Sequence, residues 1–167
     1  MRDNIFYYCS THKLSNGSIV EKGSHPLDDI GVPFFKNSYL LVFNELLLEN
    51  IRLKKFNSKP SRITSIFVSP CLKNLDYFIK IYRNNWPVYK YKVEGVTDKY
   101  NYHIGTLDYH NYLKKRYNNQ NIEKIIQQVA FKDFEKMAEN YWDGIDKMEI
   151  DAEIVIDTPI KIIERLQ

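Results

Sequence analysis

A chain of 167 residues, 44% of them apolar, is large enough to bury one core and is read as a single domain over residues 1–167. Its 24 basic and 21 acidic side chains leave a formal charge of +3, which permits an anionic partner without requiring one, and no long Lys/Arg block of a nucleic-acid tail is present. Two cysteines and four histidines in no ligand spacing exclude a disulfide framework and give no metal pattern, so no metal is expected.

No apolar run reaches membrane length, and the first residues lack the apolar centre of a signal peptide. The expectation is a soluble cytoplasmic protein with no membrane partner and with free thiols at Cys9 and Cys71.

In chain order, Ile5 to Ser10 reads as a first strand. A second extended stretch, Leu14 to Val20, carries a turn signal at Asn16-Gly17. Glu21 to Pro33, with two glycines and two prolines, reads as a surface loop. A broad apolar stripe from Tyr39 to Ile51 predicts a helix over about 37–56, with Lys54 and Lys55 in its last turn, where cations suit the helix dipole. Ser61 to Pro70 is expected as a β-branched strand with a polar, basic head, and Leu72 to Tyr82 as a helix.

Pro87 to Val93 alternates like a strand, and Tyr102 to Leu107 is short and extended or looped. Asp108 to Arg116 suggests a helical turn or two. Asn121 can cap a helix whose apolar repeat runs on through Tyr141 to a stop at Gly144. Two strands around Thr158-Pro159 close the chain. This order implies a mixed α+β domain and not a doubly wound sheet.

The chemistry motifs mostly exclude. No G-x-G-x-x-G follows a strand and there is no G-x-S-x-G, so Rossmann, P-loop and nucleophile-elbow sites are not expected. The 13 tyrosines and 9 phenylalanines read either as packing or as stacking surfaces for a ring or base. What remains is polar residues at strand ends: Tyr8 and Ser10, Arg62 with Ser65, and Asp151 with Glu153. The last two are two positions apart, so on a strand they share a face. They read either as a solvated strand end or as carboxylates at the mouth of a cleft.

Several blocks, in order, carry a resemblance: Phe6-Tyr7-Tyr8-Cys9-Ser10 with Leu14 to Val20; Leu48 to Arg52 through Pro60-Ser61-Arg62 to Phe67; Tyr89 to Gly95; Tyr141-Trp142-Asp143-Gly144; and Glu153 with Pro159 to Ile163. They make the chain similar to a mostly bacterial and phage family, domain-of-unknown-function family 2441, grouped with the ADP-ribosyltransferase superfamily. The resemblance implies two small antiparallel sheets forming a cleft, with flanking helices, and an NAD-dependent mono-ADP-ribosyltransferase that takes NAD as substrate.

It further implies jobs for single residues. Tyr8, where relatives carry His or Arg, would hold the adenosine side of NAD, with Ser10 beside it. Arg62 would reach a phosphate, for which its planar guanidinium is suited. Ser65, Phe67 and Tyr77 would flank the nicotinamide, with Phe78 the rival of Tyr77. Glu153 would steady the oxocarbenium-like ribose through its 2′-hydroxyl, and Asp151 would orient or deprotonate the acceptor. The acceptor is left open among protein, nucleic acid and a small molecule. The alternative is a catalytically silent module of this fold that binds a nucleotide, nucleic acid or protein partner.

Overall fold

The computed structural model describes residues 5–23, 39–83, 86–97, 99–106, 131–144 and 152–167. Over these residues the chain is α+β, with two antiparallel sheets and three helices. The strands are β1 (Ile5–Ser10), β2 (Ile19–Val20), β3 (Ile66–Val68), β4 (Tyr89–Gly95), β5 (Tyr102–Thr106), β6 (Ala152–Ile156) and β7 (Ile160–Arg165). The helices are α1 (Tyr39–Lys55), α2 (Leu72–Tyr82) and α3 (Phe131–Asp143).

The first sheet has the order β1-β4-β7-β2 and the second β3-β6-β5. A reciprocal pair of backbone bonds joins them: Tyr7 N–H to the Ser69 carbonyl at 2.9 Å, and Ser69 N–H to the Tyr7 carbonyl at 2.8 Å. Alternation along each strand builds the core between the sheets. Phe6, Tyr8, Tyr91, Val93, Ile160 and Ile162 of the first meet Ile66, Val68, Ile154 and Ile156 of the second.

The middle strand β6 is buried on both faces. Ile154 and Ile156 point at the first sheet, while Glu153 and Val155 point the other way, toward the helices. That helical layer has its own core, in which Leu47, Leu48 and Ile51 of α1 pack on Phe134, Ala138, Tyr141 and Trp142 of α3. The Trp142 indole N–H donates to the Leu48 carbonyl at 2.8 Å, so the ring is buried without leaving its polar atom unpaired. On the other side of the molecule, α2 packs against β1.

Two expected strands are shorter than their sequence suggests. Between Leu14 and Val20 only Ile19–Val20 is a strand, because Gly17, at φ 84°, turns the chain and donates its N–H to the Ile162 carbonyl at 2.8 Å. Ser61 to Ser65 forms a turn ahead of β3, closed by Ser65 N–H to the Ser61 carbonyl at 3.1 Å. The Ser61 hydroxyl also accepts from Ile63 N–H at 3.2 Å, a local bond that competes with sheet pairing. The helical turns expected over Asp108 to Arg116 and the helix start at Asn121 lie outside the described residues. Among the described residues no helix is long and apolar enough to cross a membrane.

Candidate active site

Four parts of the chain deliver side chains to the helix-facing side of the second sheet. β6 brings Glu153, the turn before β3 brings Arg62, and α3 brings Tyr141; α1 adds Glu45. The loop carrying Arg62 is fastened at its root. Arg52, in the last turn of α1, binds Glu49 through two nitrogens at 3.0 and 2.8 Å and donates to the Lys59 carbonyl at 3.0 Å.

The Arg62 guanidinium is the hub. Its outer edge, Nε and Nη2, grips the Glu45 carboxylate with two bonds of 2.8 Å. Its Nη1 donates to Glu153 Oε1 and to the Tyr141 hydroxyl oxygen. The Tyr141 hydroxyl in turn donates to Glu153 Oε1 at 2.7 Å. The guanidinium also lies over the rings of Phe67 and Tyr141, at 4.7 and 5.0 Å from their centroids.

Burial grades outward through this cluster. The side chains of Arg62 and Glu153 are 3% and 9% exposed, whereas that of Glu45 is 28% exposed. Taken together, these three side chains carry one net negative charge. Burial pulls the Arg62 pKa down, but the carboxylates of Glu153 and Glu45 outweigh it and hold it well above the ordinary value. Burial pushes the Tyr141 phenol well above its usual value; Arg62 opposes this and Glu153 reinforces it. Tyr141 therefore stays protonated across the physiological range and remains a donor to Glu153.

The sheet is shaped to admit the Tyr141 ring. Gly105 stands opposite Glu153 in the β5–β6 ladder, and a Cβ there would come within 2.5 Å of Tyr141 Cζ and closer still to Cε2. His103, two positions along the same face, donates its Nε2–H to the Tyr141 carbonyl at 2.9 Å. It also packs edgewise on the Tyr141 ring, at 5.1 Å between centroids.

Among the described residues, buried polar atoms without a partner sit beside members of the cluster. The Ser65 hydroxyl is unpartnered, in a residue 2% exposed, three positions after Arg62. Both side-chain amide atoms of Asn44, which is 1% exposed and precedes Glu45, are unpartnered as well.

The structure thus brings Glu153, Arg62 and Phe67 together, with Ser65 in the same turn as Arg62. It does not bring Tyr8, Ser10 and Tyr77 to them. Tyr8 is buried in the core between the sheets, against the opposite face of the second sheet from Glu153. Ser10 ends β1, and its hydroxyl accepts from His12 N–H at 3.0 Å. Tyr77 belongs to α2, on the β1 side of the molecule. Asp151 lies outside the described residues. Tyr141 and Glu45 are cluster members that local patterns do not single out. Tyr141 reads as one more residue of an apolar stripe, and Glu45 is marked only as an acid in α1 between buried Asn44 and exposed Leu46. No group of three or more His, Cys, Asp or Glu side chains suited to a metal ion is found among the described residues.

Comparison with curated proteins yields no match. The family described as protein of unknown function (DUF2441) matches residues 16–167. This match spans β2 through β7 and includes Arg62, Tyr141 and Glu153, and the chain belongs to that family.

Proposed function

We propose that the protein is an NAD-dependent mono-ADP-ribosyltransferase whose reaction centre is Glu153. The observation that carries this reading is that Glu153 and Arg62, 91 positions apart, meet in a nearly buried cluster on the helix-covered face of a small antiparallel sheet. The family resemblance supplies the chemistry to which such a carboxylate is suited.

In that chemistry the bond between ribose C1′ and the nicotinamide nitrogen breaks. Its electron pair leaves with the nicotinamide, turning the pyridinium neutral, and positive charge develops on the ribose. A carboxylate with limited water around it stabilises that charge more in the transition state than in the ground state. The excess negative charge of the Glu45–Arg62–Glu153 trio works in the same direction. The acceptor nucleophile then bonds to C1′ and loses its proton, to Asp151 in this reading. Tyr141 is a positioning residue, fixing one oxygen of Glu153 and leaving the other for the ribose 2′-hydroxyl. Phe67 and Ser65 stand beside Arg62 as nicotinamide-side and polar contacts.

A second reading draws on one observation. Glu153 is held by both Arg62 and Tyr141, an arrangement that also suits a catalytically silent module binding a nucleotide, nucleic acid or protein partner. Incubation with NAD labelled in the adenylate and in the nicotinamide separates the two. Nicotinamide release with label carried to an acceptor supports the transferase. Binding without release supports the silent module and overturns the transferase.

A further inference from the structure

We propose that the outer face of the first sheet, where β4 runs beside α2, binds single-stranded nucleic acid, with Trp86 stacking on a base and the cations around it meeting phosphates. Both sheets stand between this face and Glu153, so nothing here depends on the transferase reading.

Alternation along β4 puts Tyr91 and Val93 in the core and Lys90 and Lys92 on the opposite face. α2 lies over the β1 side of that face. Lys90 Nζ meets the Asp76 carboxylate of α2 at 2.8 Å, and Lys90 stands opposite Cys9 in the β1–β4 ladder. Arg83, just past the end of α2, joins Lys90 in opposing the rise of the Cys9 thiol pKa, so both charges stand near that one side chain. On α2, Lys73, Asp76 and Lys80 are spaced three and four apart and share one exposed helix face, while Asn74 and Leu75 are buried.

Five cations therefore gather here, Lys73, Lys80, Arg83, Lys90 and Lys92, with two acids among them, Asp76 and Glu164, the second opposite Lys92 in the β4–β7 ladder. Five less two is +3, which is the formal charge of the whole chain, so the rest of the molecule is neutral on balance. Farther along the sheet Glu94 and Lys161 offset each other at 3.6 Å. Of the five cations only Lys90 is in an ion pair among the described residues. A one-sided excess of unpaired cations on an otherwise balanced chain suits an anionic partner.

Trp86 narrows the choice of anion. Its side chain is 42% exposed, and a turn closed by Trp86 N–H to the Arg83 carbonyl at 2.9 Å holds it next to Arg83. The Arg83 guanidinium lies 5.6 Å from the centre of its ring. Single strands are held by this pairing, in which a ring stacks on an unpaired base and cations follow the backbone. A duplex keeps its bases out of reach of such a ring, and the two acids set among the cations count against a lipid surface.

The test is binding of an oligothymidylate of about 12 nucleotides to the full chain, read by anisotropy of a label on the oligonucleotide and by quenching of tryptophan emission. Trp142 is fully buried, so a stacked base quenches Trp86 alone. With every variant first shown to melt cooperatively, Trp86→Ala is expected to remove the quench and weaken binding about tenfold. Lys80→Gln combined with Lys92→Gln should lower the slope of log affinity against log salt by about 1.4. Lys54→Gln, at an exposed lysine of α1 in the helical layer, should change neither quantity. No binding by the wild type, losses in Lys54→Gln as large as in the other variants, or equal binding of a duplex without quenching overturns the proposal. Binding of phosphatidylserine vesicles but not of the oligonucleotide assigns the face to lipid and overturns it as well.

Discussion

Gly105 lies flat beneath the ring of Tyr141, and the bare backbone there is what lets the Tyr141 hydroxyl reach Glu153 at 2.7 Å. A Cβ at this position meets ring carbon and not the end of a flexible chain, so the ring or the strand must shift. Gly105→Ala is expected to destabilise the fold by about 1–3 kcal/mol. Placed in a Tyr141→Ala background, the same change should cost much less, because the ring it strikes is gone. A double-mutant cycle from denaturant melts measures the coupling. Equal costs in both backgrounds would show that Gly105 serves something other than the seating of Tyr141.

Asn44 gives a prediction of opposite sign. Its amide is buried on α1, and neither amide atom finds a partner among the described residues. A buried polar group left unpaired carries its desolvation cost, about 1–3 kcal/mol, with nothing to offset it. Leucine has a similar shape and no polar atom. Asn44→Leu is therefore expected to raise the melting temperature by several degrees. A lower melting temperature would mean that the amide is satisfied in solution, by water or by a bound group.

The two thiols should differ sharply with pH. Burial pushes the Cys9 thiol up to about 11, against the opposing pull of Arg83 and Lys90, whereas Cys71 is exposed. At pH 8 only about one Cys9 in a thousand is thiolate, the reactive form. Iodoacetamide at pH 8 should therefore label Cys71 and leave Cys9 nearly untouched. In Cys71→Ser, the residual rate should climb about tenfold per pH unit toward pH 11. Fast labelling of Cys71→Ser at pH 8 would contradict the upward push on the half-buried Cys9 thiol.

Local patterns carried much of the fold. The period-2 run of Ile5 to Ser10 and the apolar stripe of Leu72 to Tyr82 appear as β1 and α2 with those bounds. The stripe over 37–56 appears as α1, and Gly144, at φ 69°, lies just past the end of α3. Patterns failed where a local side-chain bond competes with sheet pairing, as at Ser61 to Ser65, and where the turn at Gly17 itself bonds to β7.

The candidate site was legible only in part. Glu153 and Arg62 stand out as charges next to β-branched runs, and they meet in the structure. Alternation puts Tyr8 on one face of β1 and Glu153 on one face of β6. Which layer each face meets depends on the order of strands in two sheets, and no local pattern encodes that order. For the same reason the Tyr141 hydroxyl has no signature of its own: its bond to Glu153 exists only because α3 lies across Gly105.

The most direct test of the central claim is transfer of labelled ADP-ribose from NAD by wild type and by Glu153→Gln, with both proteins first shown to melt cooperatively. The substitution keeps the shape of the side chain and removes its charge. The account predicts transfer and nicotinamide release by the wild type, and loss of both by at least about a hundredfold in the variant. A folded Glu153→Gln protein that transfers at the wild-type rate would contradict it.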